Sequence, residues 1–223
     1  MNRSKIDSAL IYLLVVCTIL LALLIAPVAF GAEPTATLTT KARTILHSQL
    51  NTAGVDKQDQ SAVLCVAENI YFEARAESYS GKAAVANVTR NRVLDKRWPD
   101  TYCAVVQQGP KRESWKTKQD PKLADSDRVY YPRKHRCQFS WYCDGKKDVI
   151  WANYEKTGQT IEGNARAWTE SVQLAIMVAG DVGLEISDNT GGAVFYYNHN
   201  LVYPNWADAM QTIGILGNHT FLK

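Results

Sequence analysis

The sequence predicts a mixed α+β domain, mainly helical with a small β region, set behind an apolar N-terminal segment. Three observations predict it. Apolar residues recur at helical spacing in the stretches 59–76 and 82–94, and 165–179 reads as a further helix. From Asp188 onward the chain becomes aromatic and rich in turn residues (DNTGGAVFYYNHNLVYPNW, then TIGILGNHTFLK), which reads as short strands joined by loops. Ahead of both lies an uncharged stretch, 8–32, whose apolar heart runs from Leu10 to Ala26.

Arg3 and Lys5 precede that apolar run, and Ala29 and Gly31 supply small residues at its end. A basic end, an apolar middle and a small-residue site are the layout of a secretory signal cleaved before Ala32. The run is also about long enough (~20 residues) to cross a bilayer as a retained anchor. Both readings place the rest of the chain outside the cytoplasm, with contact to the membrane if the segment is kept. The expected organisation is 1–32 signal or anchor, 33–58 linker and short helix, and 59–223 the main domain. With 46% hydrophobic and 21% charged residues the main domain has enough apolar side chains for a packed core. A formal net charge of +3 is too small to argue for nucleic acid, and none is expected as a partner; a monomer without cofactor is expected.

In chain order, 33–40 is rich in Pro, Thr and Ala and reads as linker, and 41–50 as a short helix. The helix 59–76 carries Val63, Val66, Ala67, Ile70 and Ala74 at helical spacing. Ser78 to Gly81 interrupts it, and a second helix, 82–94, buries Val85, Val88 and Val93. Trp98-Pro99-Asp100 marks a turn. The segment 107–136 holds nine Lys/Arg, four Asp/Glu and three prolines with little periodicity, and reads as a long, partly mobile loop. It is either a solvated insertion or a flap that touches an anionic envelope polymer. CQFSWYC (137–143) reads as a short strand closed by a turn at Asp144-Gly145, and the helix 165–179 ends on Gly180.

Outside the N-terminal segment four cysteines remain: Cys65, Cys103, Cys137 and Cys143. In an exported chain four cysteines read as two disulfides with three possible connectivities. A zinc site is the rival, weakened by the lack of any C-x-x-C pair; no metal is expected.

The densest chemical cluster is Glu68-Asn-Ile-Tyr71-Phe-Glu73-Ala-Arg75-Ala-Glu77. Glu73 and Glu77 share a helix face, four residues apart. A carboxyl at a helix C-terminus, beside another carboxylate and the apolar Phe72, should have a raised pKa. That is what a general acid needs to hold its proton near neutral pH. Arg75 would act the other way, and the plainer reading is a solvated helix end with Arg75 paired to a glutamate. A second group is aromatic and polar: Gln138, Phe139, Ser140, Trp141, Phe195, Tyr196, Tyr197, Tyr203 and Trp206. Tyr and Trp match the apolar faces and hydroxyl rims of sugars. The chain has no H-E-x-x-H, no G-x-S-x-G and no P-loop, and its histidines lack ligand spacing.

Several of these strings together resemble one family. NIYFEARAE with Gly81 and AVANVTRNRV, then Trp98-Pro99-Asp100-Thr101 with Cys103, RCQFSWYCDG, GGAVFYYN, Pro204 and Trp206, and finally Gly217, His219 and Phe221, are similar to the motifs of the SleB-type cell-wall hydrolases, the spore-cortex-lytic family. The resemblance runs from about Cys65 to Phe221. It implies a lysozyme-like catalytic domain that cuts the glycan strands of peptidoglycan, with Glu73 on the catalytic position and Tyr71, Glu77, Gln138, Ser140, Trp141, Tyr196 and Tyr197 as candidates for binding substrate. It also implies cysteine at the four positions named, and the pairing Cys65–Cys103 with Cys137–Cys143 is the one expected. Two features depart from the family's usual pattern: Ala76 stands where glycine is usual, and the basic segment 107–136 is longer. The implied reaction is cleavage between N-acetylmuramic acid and N-acetylglucosamine. It would proceed by lytic transglycosylation if Glu73 works alone, or by hydrolysis if a second carboxylate such as Asp144 or Asp188 assists. A non-catalytic peptidoglycan-binding protein is the rival from another class. The missing wall-binding repeat points to wall remodelling or phage-mediated lysis rather than to spores.

Overall fold

The computed structural model describes residues 36–151 and 161–223. The apolar stretch read as signal or anchor lies outside the described residues. Among the described residues no helix is long and apolar enough to cross a membrane.

Helix α1 (Thr40–Ala53) starts where the Thr39 hydroxyl accepts from the Ala42 amide at 3.3 Å. It stops at Gly54, whose φ of 70° lets its own amide and that of Val55 close back on Asn51 and Leu50. The stretch predicted as linker and short helix is therefore built into the core. Ala42, Leu46 and Leu50 are buried, at about 1.5–3 kcal/mol for each leucine. Ala36 is buried as well, and strand β1 (Thr37–Leu38) pairs in parallel with β4 (Val149–Ile150).

Helix α2 (Gln60–Ala74) is the centre of the molecule, in contact with α3 (Tyr79–Leu94), α4 (Tyr102–Val106) and α6 (Ile161–Ala179). A helix walled in by others must be apolar nearly all round, and α2 buries Val63, Cys65, Val66, Ala67, Ile70, Tyr71 and Ala74. Trp168 of α6 is fully buried, stands edge-on to Tyr71 at 5.8 Å, and donates its indole N–H to the Ala42 carbonyl at 2.9 Å. Helix α3 begins with the Ser78 hydroxyl capping the Gly81 amide at 3.2 Å, three residues earlier than the sequence predicts, because the Ser-x-x-Gly cap recruits Tyr79 into the first turn. It buries Ala83, Ala84, Val85, Ala86 and Val88, small enough for close approach, while Val93 is half-buried.

The β region is a three-stranded antiparallel sheet in the order β5 (Phe195–Asn198), β7 (His219–Leu222), β6 (Thr212–Leu216). Tyr196 lies opposite Phe221 and Asn198 opposite His219. The central strand β7 is buried at every position. The described residues thus form a mixed helix-and-strand domain, as predicted.

Two segments differ from expectation. CQFSWYC is not a strand; Ser140–Cys143 is a turn of 3-10 helix. The Cys137–Cys143 bridge ties the ends of this seven-residue run into a ring, which favours a tight turn over an extended segment. The basic stretch is a folded hairpin, β2 (Lys111–Glu113) with β3 (Tyr130–Pro132), carrying the short helix α5 (Trp115–Lys118). Arg128 organises its interior, pairing with Glu113 at 2.7 Å and donating to the Leu123 carbonyl at 3.0 Å. The expected disulfides are both present: Cys65–Cys103 fastens α2 to α4, and Cys137–Cys143 closes the short ring.

Candidate active site

Glu73 is the penultimate residue of α2 and half-buried, so its carboxyl is enclosed by protein while the residue keeps an edge in solvent. Tyr196, projecting from β5, donates its hydroxyl to Glu73 Oε2 at 3.2 Å. Alternation along β5 puts Phe195 and Tyr197 on the opposite face. There their rings meet Trp206, and Tyr197 also meets Tyr203 edge-on at 5.7 Å. Burial pushes the Glu73 carboxyl up to about 7, against the Tyr196 hydrogen bond and the charge of Arg92, which both favour ionisation. Burial and the nearby carboxylate hold the Tyr196 hydroxyl well above its ordinary value, so it stays protonated and remains a donor.

The sequence places Arg75 beside Glu73, but the cation that acts on its carboxyl is Arg92 of α3. The Arg92 side chain lies between the rings of Trp98 and Phe139, 4.3 and 4.9 Å from their centroids, and its Nε donates to the Val194 carbonyl at 2.8 Å. Its Nη1 is buried without a hydrogen-bond partner. Burial lowers the guanidinium to about 10, still a cation at neutral pH. Arg75 instead lies 5.8 Å from the Tyr71 ring. Arg92 had a signal in the sequence: it sits seven residues after Val85 and four after Val88, on the face of α3 that the valines bury.

The wall beside Glu73 is aromatic. Phe72 stacks on Trp141 at 4.7 Å, and the Trp141 indole donates to buried Asn69 at 3.0 Å. Asn69 in turn donates to Thr89, fixing α2, α3 and the disulfide ring together. Phe139 faces Tyr196 at 6.5 Å. Ser140 and Gln138, from the same ring, are exposed.

Other predicted site residues lie elsewhere. Tyr71 is fully buried, its hydroxyl placed between Asn164 at 3.4 Å and the Trp151 amide at 3.2 Å; it supports α2 from behind and has no surface to offer a ligand. Glu68 is also fully buried and accepts from the Ala36 amide. Glu77 accepts from Asn218 through both its amide and side chain, at 3.2 and 2.7 Å, and so binds the end of α2 to the β6–β7 turn. Asp188 is occupied by hydrogen bonds from Thr190, Gly192 and Asn91; burial raises its pKa, but these bonds outweigh it and hold the carboxyl below its ordinary value. Asp144 caps its own turn through the Lys146 amide and pairs with the Lys146 ammonium at 3.4 Å. Neither is among the charges acting on Glu73.

A protein-family model described as Cell Wall Hydrolase matches residues 76–222. The chain belongs to the cell-wall hydrolase family. Membership makes it an enzyme that acts on the wall polymer, an extracytoplasmic substrate. Two solved structures are similar to this hydrolase: the catalytic domain of the germination-specific lytic transglycosylase SleB from Bacillus anthracis and that of the Bacillus cereus SleB protein. The first is 21% identical, with 75% of this chain and 97% of that chain covered and a TM-score of 0.41. The second is 19% identical, with 86% and 99% covered and a TM-score of 0.39. No curated protein sequence matches the hydrolase. The matched segment begins three residues after Glu73 and includes Arg92, Phe139, Trp141 and Tyr196, which surround it.

Proposed function

We propose that this hydrolase cuts peptidoglycan between N-acetylmuramic acid and N-acetylglucosamine as a lytic transglycosylase, with Glu73 as the one acid and base. The observation that carries the reading is Glu73 itself: a carboxyl enclosed enough to hold its proton to about pH 7, on a residue only half-buried as a whole, and influenced by a cation and a tyrosine but by no second carboxylate among the described residues. Glu73 gives its proton to the glycosidic oxygen as the bond to C1 breaks. The resulting carboxylate, stabilised by Tyr196 and the charge of Arg92, takes the proton of the muramoyl 6-hydroxyl while that oxygen bonds to C1. The acid is regenerated and a 1,6-anhydro end is formed. The aromatic rings at the acid, Tyr196 and the Phe139 that faces it, fit this reading. The apolar segment 8–32 would export the enzyme, for wall remodelling or for lysis.

Digestion of purified sacculi followed by mass analysis of the products is the test. Anhydro-muramoyl ends are expected from the parent protein and none from Glu73→Gln. Reducing muramoyl ends would replace transglycosylation by hydrolysis, and clearance at the parental rate by Glu73→Gln would remove Glu73 from the mechanism.

A further inference from the structure

The hairpin 107–136 is the part of the molecule that the proposed reaction leaves unused. It contains nine of the chain's 25 basic residues but four of its 22 acidic ones, so that without it the chain would be net negative. Two of those four acids, Glu113 and Asp125, pair internally with Arg128. Arg112, Lys116 and Lys118 are exposed and take part in no ion pair among the described residues. Together with Trp115 and Tyr131, which are 66% and 51% exposed, and with Glu113, whose carboxylate is held by Arg128, they line a pocket of about 310 Å³. Two large aromatic side chains in solvent beside three cations are costly to keep for folding alone, since they contribute little to the core.

The hairpin is also rooted at the active site. Its two ends meet where the Gln138 amide donates to Gln108 at 2.9 Å and the Arg133 amide to Pro110 at 2.8 Å. Gly109 lies so close to Cys137 that an added Cβ would stand 3.0 Å from its Cα and Sγ. Phe139, two residues after Cys137, is the ring that packs on Arg92 and faces Tyr196.

From this arrangement we propose that the hairpin pocket is a second binding site for the wall strand beyond the point of cleavage: a sugar ring lies on Trp115 or Tyr131 while carboxylates of the stem peptides meet Arg112, Lys116 and Lys118. The proposal rests on the reading of the substrate as peptidoglycan. The strand supplies both halves of the chemistry, apolar sugar faces for the rings and repeated carboxylates for the cations. A strand held at a second point raises its effective concentration at Glu73 without any change in the acid itself.

The test is co-sedimentation of the purified protein with sacculi. Sacculi freed of phosphate polymers by hydrofluoric acid are compared with sacculi whose stem peptides an amidase has removed. Arg112→Gln/Lys116→Gln/Lys118→Gln is expected to bind phosphate-free sacculi about tenfold more weakly than the parent, with the difference shrinking at high salt. Trp115→Ala should weaken binding several-fold. Both variants should melt as the parent does and cleave a short peptide-free glycan at the parental rate. Parental binding by the triple variant would overturn the proposal, as would parental binding to peptide-free sacculi or binding that disappears with the phosphate polymers. Glu73→Gln separates the two readings: it should bind as the parent does without cutting, and cutting by this variant would overturn the catalytic assignment while leaving the hairpin result standing.

Discussion

Glu73→Gln should stabilise the protein, and far more on the alkaline side than on the acid side. In the folded protein the Glu73 carboxyl is raised from 4.5 to about 7, chiefly by burial. Below pH 4.5 it is neutral in both the folded and the unfolded chain and its titration contributes nothing. Between that point and pH 7 the folded chain binds the proton more tightly than the unfolded one, so stability falls as pH rises. Above pH 7 the whole cost of an enclosed charge is present, about 3 kcal/mol at 1.36 kcal/mol for each tenfold change in proton affinity. Gln keeps the shape and the partner for Tyr196 but cannot ionise. For a domain of this size that energy corresponds to a melting temperature about 6–12 °C higher than the parent's near pH 8, and to little difference near pH 4. The assay is thermal unfolding of both proteins across that range. Titrations elsewhere, such as that of His219, whose pKa burial lowers against the opposing charge of Glu77, are shared by the two proteins and cancel. A melting difference between variant and parent that does not change with pH would refute the claim that Glu73 carries a desolvated charge.

The same proton sets the rate, so cleavage by the parent should decline as pH rises through about 7. Arg92→Gln removes the cation that eases ionisation of Glu73 and should move that decline upward by up to about one pH step, with Arg92→Lys restoring the parental profile; pH–rate curves on sacculi decide it. Replacing Cys137 and Cys143 by serine opens a seven-residue ring and should cost about 2 kcal/mol in denaturant unfolding, with a loss of activity through the freed Trp141. Gly217→Ala should destabilise by more than about 1 kcal/mol, because Gly217 has a φ of 59° and an added Cβ would collide with the Glu77 carboxylate. Measured against Glu77→Ala alone, which loses the hydrogen bonds from Asn218, the double variant should show only the backbone part of the Gly217→Ala cost.

The sequence by itself determined the four longer helices, the strand-rich end, that the four cysteines pair, and the residue to suspect. Apolar spacing is a local property, so α2, α3 and α6 were legible from it, and so was the run FYYN that becomes β5. Glu73 stood out because three glutamates close an apolar helix. What made it special was not legible. The predicted causes of its raised pKa were the helix end, a neighbouring carboxylate and the apolar Phe72; in the fold the chief cause is burial, and no carboxylate is among the causes. The predicted carboxylate partner, Glu77, is held by Asn218, 141 residues away in sequence, and Glu68 lies in the core. Tyr196 was named for its affinity for sugars, but its contact with Glu73 spans 123 residues and exists only because β5 crosses the end of α2. The spacing of Arg92 from Val85 and Val88 marks it as inward-facing, but its neighbours there, Trp98 and Phe139, are given only by the fold. The basic segment lacked periodicity because a three-residue strand is too short to show any, and an ion pair between Arg128 and Glu113 gives it its shape. A carboxyl's affinity for its proton depends on what surrounds it in space, and those neighbours come from segments that only the tertiary fold brings together.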